Sequence, residues 1–297
     1  MAKKDYESCL LQPEIVNIGS YQTFTIKNKD RRGYDYVVRL LPVSKETVPG
    51  DIPETADSDR LELFVGGSPD DIEKVSGEIE VSLGKENETY SINEAALVYI
   101  PKGLPVRHRI IREPEKTAFL LSFNLTPRWE GFPEEKVERA VSGKKYEHLI
   151  LRNPVTPPFA EINSSFMSPK DDFFKHISGA TANFALYYVK RGGMFPEPPH
   201  WHRTEEILMF MSSDPHDMEN LGATVEVGFG PEWEKISFSN SCFVRFPAEL
   251  EHGPFNIHIG KFKRPFLFGH YWPTGEPAHI ILSGETEELD IVNPGEA

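Results

Sequence analysis

Three histidines and one glutamate carry the clearest chemistry in the sequence. His200 and His202 are spaced i, i+2 within Pro199-His200-Trp201-His202-Arg203-Thr204-Glu205-Glu206. Side chains alternate along a β-strand, so this spacing puts both imidazoles on one face. Glu206 lies four residues beyond His202 and shares that face if the strand runs on. His252, in the run from Pro247 to Asn256, adds a third imidazole at the mouth of a later strand. Such a set suits a divalent first-row metal. Closed structural zinc ordinarily takes four ligands from Cys and His. This set lacks Cys and leaves one or two positions open for water, dioxygen or a bidentate substrate. One divalent ion per chain is expected, with iron first and manganese, nickel or zinc as alternatives.

The neighbouring residues divide by strand face. Glu205 points away from Glu206 on a regular strand, so a solvated carboxylate is expected there, and Trp201 is expected outside the barrel. Phe266, Phe268, His270 and Trp272 share one face of the last strong strand. If that face is internal, His270 is the candidate catalytic residue, to orient a ligand or move a proton; the alternative is a satisfied core histidine. Phe184 and Tyr188 are candidates for the pocket wall. Arg245, two residues before Pro247, is a candidate to meet a substrate carboxylate, with an outward salt bridge as the alternative. Asn256 is expected to fix the loop after His252, and no spacing recommends His216, His258 or His279.

Strands must position these groups, and most of the chain reads as strand. Tyr21–Ile26 alternates, Tyr34–Val43 is β-rich, and strands follow at Leu61–Val65, Glu78–Leu83, Thr89–Ile92, Ala96–Ile100 and Ala118–Leu125. Residues 133–141 carry helix boundary signals: Pro133 at the start, acids in the first turn and Gly143 past the end. A shift of 146 residues lays Pro69 on Pro215, Glu80-Val81 on Glu226-Val227, Gly84 on Gly230, Val98 on Val244 and Pro101 on Pro247. Two copies of one β-barrel unit follow, with domains at residues 1–145 and 146–297. The copies are unequal, because the same shift puts His200 on Glu54, His202 on Ala56, Glu206 on Arg60 and His252 on Val106. No ligand survives in the first copy, and His108, between Arg107 and Arg109, is expected to be a lone exposed histidine.

His200, His202 and Glu206, followed by Pro247, His252 and Asn256, resemble the two motifs of the cupin superfamily. Four glycine positions of those motifs are replaced, by Met194, Ser213, Ser241 and Glu249, which bears on loop shape more than on metal binding. The resemblance implies an all-β fold of two tandem cupin (jelly-roll) barrels, here with a short inter-domain helix and a metal in the C-terminal barrel only. It also implies metal chemistry on a small oxygenated molecule, either dioxygenase-like or as an isomerase or cyclase. A non-catalytic binder of a carboxylate or sugar is the alternative, and a storage-like scaffold the third. Cupin barrels commonly pair through exposed strands, so a homodimer is an expectation from the resemblance.

Composition narrows the partners. The 297 residues have a formal net charge of −14 and no basic cluster, which argues against nucleic acid or an anionic membrane. With two cysteines and no signal-like or spanning apolar run, a disulfide framework is not expected and the cytoplasm is the expected compartment.

Overall fold

The Glu206–Ser212 strand is buried at every position, and so is Arg60–Gly66 in the first half. A strand with one wet face alternates apolar and polar residues; these two are covered on both faces. The computed structural model describes residues 6–28, 36–48, 50, 54–55, 57–124, 144–168, 183–195, 198–272, 279–281 and 291–292. Among them regular structure is almost wholly β, with helix confined to short 3-10 turns such as Tyr6–Cys9 and Glu147–Leu149. The helix expected over residues 133–141 lies outside the described residues.

Two seven-stranded sheets form the centre of the molecule. The first runs Ile150–Arg152, Ala96–Ile100, Arg60–Gly66, Ala118–Asn124, Tyr36–Pro42, Tyr21–Asn28, Glu14–Ile18. The second runs Leu10–Leu11, Cys242–Phe246, Glu206–Ser212, Phe266–Trp272, Asn183–Val189, Asn163–Met167, Val155–Thr156. They pack face to face through aromatic contacts, with Phe24 on Phe243 (5.5 Å between ring centroids) and Phe123 on Tyr271 (5.3 Å). Each sheet packs its other face against an outer sheet. In the first half the outer strands are Glu54–Thr55, Pro105–Arg112, Lys74–Leu83 and Glu88–Glu94. In the second they include Glu234–Asn240, Asn220–Phe229, His252–Ile257 and His200–Trp201. The result is the expected all-β pair of jelly rolls. One apolar cluster fills the N-terminal barrel and the seam between the central sheets; the other fills the C-terminal barrel.

The repeat is visible strand by strand. Arg60–Gly66 and Glu206–Ser212, Lys74–Leu83 and Asn220–Phe229, Glu88–Glu94 and Glu234–Asn240, and Ala96–Ile100 and Cys242–Phe246 all obey the 146-residue shift. Residues with positive φ obey it too: Ser76 and Gly222, Gly84 and Gly230, Asn87 and Trp233, Gly103 and Glu249. The barrel path fixes these turns, whatever residue occupies them.

The two halves also exchange their edges. Leu10 and Leu11 pair with Val244 and Phe243, whereas Ile150 and Leu151 pair with Val98 and Leu97. These are the same contact in the two barrels, since Val98 and Val244 are repeat equivalents. Leu10–Leu11, from the first half, therefore covers an edge of the second barrel, and Ile150–Arg152, from the second half, covers the matching edge of the first.

Candidate metal centre

His200 and His252 face each other as a cross-strand pair, and Glu206 opens the long buried strand beside them. His202 lies in the link between, and all four side chains are buried. One potential ligand atom from each of His200, His202, Glu206 and His252 lies within 4.8 Å of all the others. Glu206 Oε2 is 3.1 Å from His202 Nε2 and 2.9 Å from His252 Nε2.

The chain prepares two of the imidazoles to be ligands. His200 Nδ1 donates to the Pro198 carbonyl and His252 Nδ1 to the Leu250 carbonyl, both at 2.8 Å. A carbonyl only accepts, so Nδ1 carries the proton in each and Nε2 is the nitrogen that could hold a metal. Phe246 stacks on the His252 ring at 3.9 Å, and the Trp272 ring sits edge-on to His202 at 5.9 Å. Burial alone would push the Glu206 carboxyl up, but His202 and the hydrogen bonds from His202, His252 and His270 outweigh it. The group is held well below the usual carboxylate range, ready as an anionic ligand. Three imidazole nitrogens with one carboxylate oxygen, three of these donors on strands and His202 on the link between two of them, fit a divalent metal.

The last-strand face is internal. Phe268 belongs to the barrel core, and His270 Nδ1 lies 3.4 Å from Glu206 Oε1. The wall assignment needs correction, because Phe184 and Tyr188 face the seam between the sheets. Their neighbour Tyr187 points inward, with its hydroxyl 3.1 Å from His270 Nε2. The pairing register decides the face. Tyr187 pairs with Phe268, so it takes the face that Phe268 and His270 share.

Glu205 also differs from expectation. It is buried, not solvated, and accepts from Arg245 Nε at 2.6 Å. Arg245 pairs with Ile207, whereas Glu206 pairs with Phe246, so Arg245 lies on the opposite sheet face from Glu206. Glu205 is buried and Arg245 partly so, a condition that sequence parity alone does not reveal. Asn256 sits on the His252–Ile257 strand opposite Met194. His216 hydrogen-bonds the Ser20 carbonyl and His258 lies near Glu226, both away from the cluster.

The replaced glycines behave differently from one another. Neither Ser213 nor Ser241 adopts positive φ; Ser241 Oγ accepts the Ser212 N–H at 2.9 Å, and Ser213 Oγ donates to the Pro265 carbonyl at 2.6 Å. Only Glu249 keeps the left-handed turn, at φ +67°, where its repeat equivalent Gly103 has +79°.

In the N-terminal barrel, Glu54 and Val106 form the cross-strand pair equivalent to His200 and His252. Arg60 takes the place of Glu206 and is 3.1 Å from Glu54 and 3.2 Å from Glu62. His108 is a correction: it is 4% exposed, with Nε2 2.7 Å from Glu62 Oε2. It alternates with Val106 and Ile110 on the inward face of its strand, a pattern that the flanking arginines obscured. Among the described residues, the only group of three or more possible ligand side chains is the one in the C-terminal barrel.

No protein-family model matches the sequence, and no curated protein matches it either. Solved structures do. Oxalate decarboxylase from Lactobacillus farciminis, as its formate complex, aligns with a TM-score of 0.55 at 14% identity over 92% of this chain and 86% of that one. Oxalate decarboxylase from Bacillus subtilis, a protein with Mn(II) centers, aligns with a TM-score of 0.54 at 14% identity, covering 91% of this chain and 77% of that one. Among the described residues no helix is long and apolar enough to cross a membrane. At this identity the likeness is one of fold, and the architecture is the two-barrel cupin fold.

Proposed function

We propose that this chain is a metal-dependent enzyme acting on a small oxygenated organic substrate, with its centre in the C-terminal barrel. His200, His202, Glu206 and His252 hold one divalent ion, iron by preference, with manganese, nickel or zinc as the other occupants. The observation that carries this reading is the convergence of four buried donors, two of them pre-set by Nδ1–H bonds to carbonyls. A bound ion with open positions supplies Lewis acidity to a carbonyl or enediol and, as iron, a site for dioxygen. The protein supplies the rest. The carbonyl tethers hold the rings of His200 and His252, Phe246 and Trp272 exclude water around them, and His270 is placed to orient Glu206 or to move a proton.

The test is elemental analysis of protein purified anaerobically without added metal or chelator, beside His202→Ala. About one equivalent of iron, lost in the variant, supports oxygen chemistry and leads to O2-uptake assays with phenols and diketones. One equivalent of manganese, nickel or zinc directs the assays to isomerase and cyclase substrates, with oxalate included because of the fold neighbours. No metal in the purified protein, nor after reconstitution, would overturn the proposal.

A further inference from the structure

The two oxygens of Glu206 have different partners. Oε2 faces the nitrogens of His202 and His252, at 3.1 and 2.9 Å, whereas Oε1 faces His270 Nδ1 at 3.4 Å. On its other side, His270 Nε2 meets the Tyr187 hydroxyl at 3.1 Å. A carboxylate only accepts, so His270 carries its proton on Nδ1, and Nε2 accepts the Tyr187 O–H. Both imidazole nitrogens are then committed, with neither free for a metal. The rings are also clamped. Trp272 stacks on His270 at 5.5 Å, and Tyr187 is packed against Phe195 and Phe268.

We propose that Tyr187 and His270 form a relay that assigns the two Glu206 oxygens, reserving Oε2 for the metal and tying Oε1 to the protein. Tyr187 is a positioning residue that acts through His270, and His270 is not a fifth ligand. This rests on the reading of the C-terminal barrel as a metal centre. The hydroxyl matters because without it His270 Nε2 is a bare lone pair in an apolar pocket. The imidazole then gains by turning that nitrogen toward the metal, or by releasing Oε1 so that Glu206 binds through both oxygens. Partners that orient a metal ligand typically contribute 10–100-fold to affinity.

The experiment is a double-mutant cycle on the full chain, with Mn(II) alone as the probe. The variants are Tyr187→Phe, His270→Gln and both together, with melting curves as the control for folding. Free Mn(II) counted by electron paramagnetic resonance gives the Kd, and the spectrum of the bound ion reports its ligation. The proposal expects Tyr187→Phe to weaken Mn(II) binding about 10-fold or more and to change the bound spectrum. The His270→Gln amide N–H can still donate to Oε1, but no imidazole nitrogen is left for Tyr187 to hold away from the metal, so Tyr187→Phe should add little in that background. Wild-type affinity and spectrum in Tyr187→Phe, or effects that simply add, would overturn the relay alone. Absence of Mn(II) binding by the wild type, or binding undiminished in His202→Ala, would overturn the metal centre and the relay with it.

Discussion

Arg60 stands where Glu206 stands in the other barrel: each opens a wholly buried strand, and Arg60 pairs with Ile100 as Glu206 pairs with Phe246, the repeat equivalent of Ile100. A cation at that point excludes another. The first barrel keeps the frame of the site and fills it with Arg60, Glu62 and His108.

The Arg60–Glu62–His108 set predicts a pH signature. Burial alone would raise the Glu62 carboxyl, but His108 and Arg60 outweigh it and the group is lowered from 4.5. A depressed folded value contributes stability that is fully present above the unfolded pKa and is lost as pH falls through the folded one. Wild-type stability should therefore fall more steeply below about pH 4.5 than that of Glu62→Gln, measured by urea unfolding at stepped pH. At neutral pH, Glu62→Gln should cost about 1–3 kcal/mol, because it removes the buried one of the two carboxylates that meet Arg60 and leaves only the partly exposed Glu54.

Glu205, which is buried, and Arg245, which is partly exposed, form a second ion pair, with Arg245 on the sheet face opposite Glu206. Arg245→Met should cost about 1–3 kcal/mol by removing a charged partner of buried Glu205. The metal content of the folded variant should match wild type. Loss of metal at unchanged stability would argue against this assignment.

The turn at Gly103 and Glu249 isolates backbone strain from packing. A Cβ at Gly103 would meet nothing within 4 Å, so only its φ of +79° disfavours a side chain. Gly103→Ala should destabilise by about 1 kcal/mol, and Glu249→Gly should stabilise by a similar or smaller amount. Denaturant midpoints with unchanged slopes would confirm both; a stabilised Gly103→Ala would contradict them.

Metal binding should register as stability. An ion bound to the folded chain alone adds about 2.7 kcal/mol at a hundredfold excess over its Kd. For a chain of 297 residues this is several degrees in Tm, on the order of 2–4 °C per kcal/mol. A chelator should therefore lower the Tm of wild type and leave that of the His202→Ala/His252→Ala double variant unmoved. Equal shifts in both proteins would contradict the ligand assignment.

The sequence by itself determined what depends on spacing. The i, i+2 histidines, the glutamate four residues on and the 146-residue shift were all legible, because strand period and repeat register are properties of the chain. So was the replacement of those four residue types by Glu54, Ala56, Arg60 and Val106 in the first copy. Only the tertiary structure decided which faces of doubly buried strands look into a barrel and which into the seam. Parity relates neighbours on one strand but does not say which face is which. That is why Tyr187, rather than Phe184 and Tyr188, faces into the barrel, and why Glu205 and His108 are buried and paired. The exchange of Leu10–Leu11 and Ile150–Arg152 between the sheets was also invisible, because edge pairing is made by backbone hydrogen bonds that no side-chain pattern records.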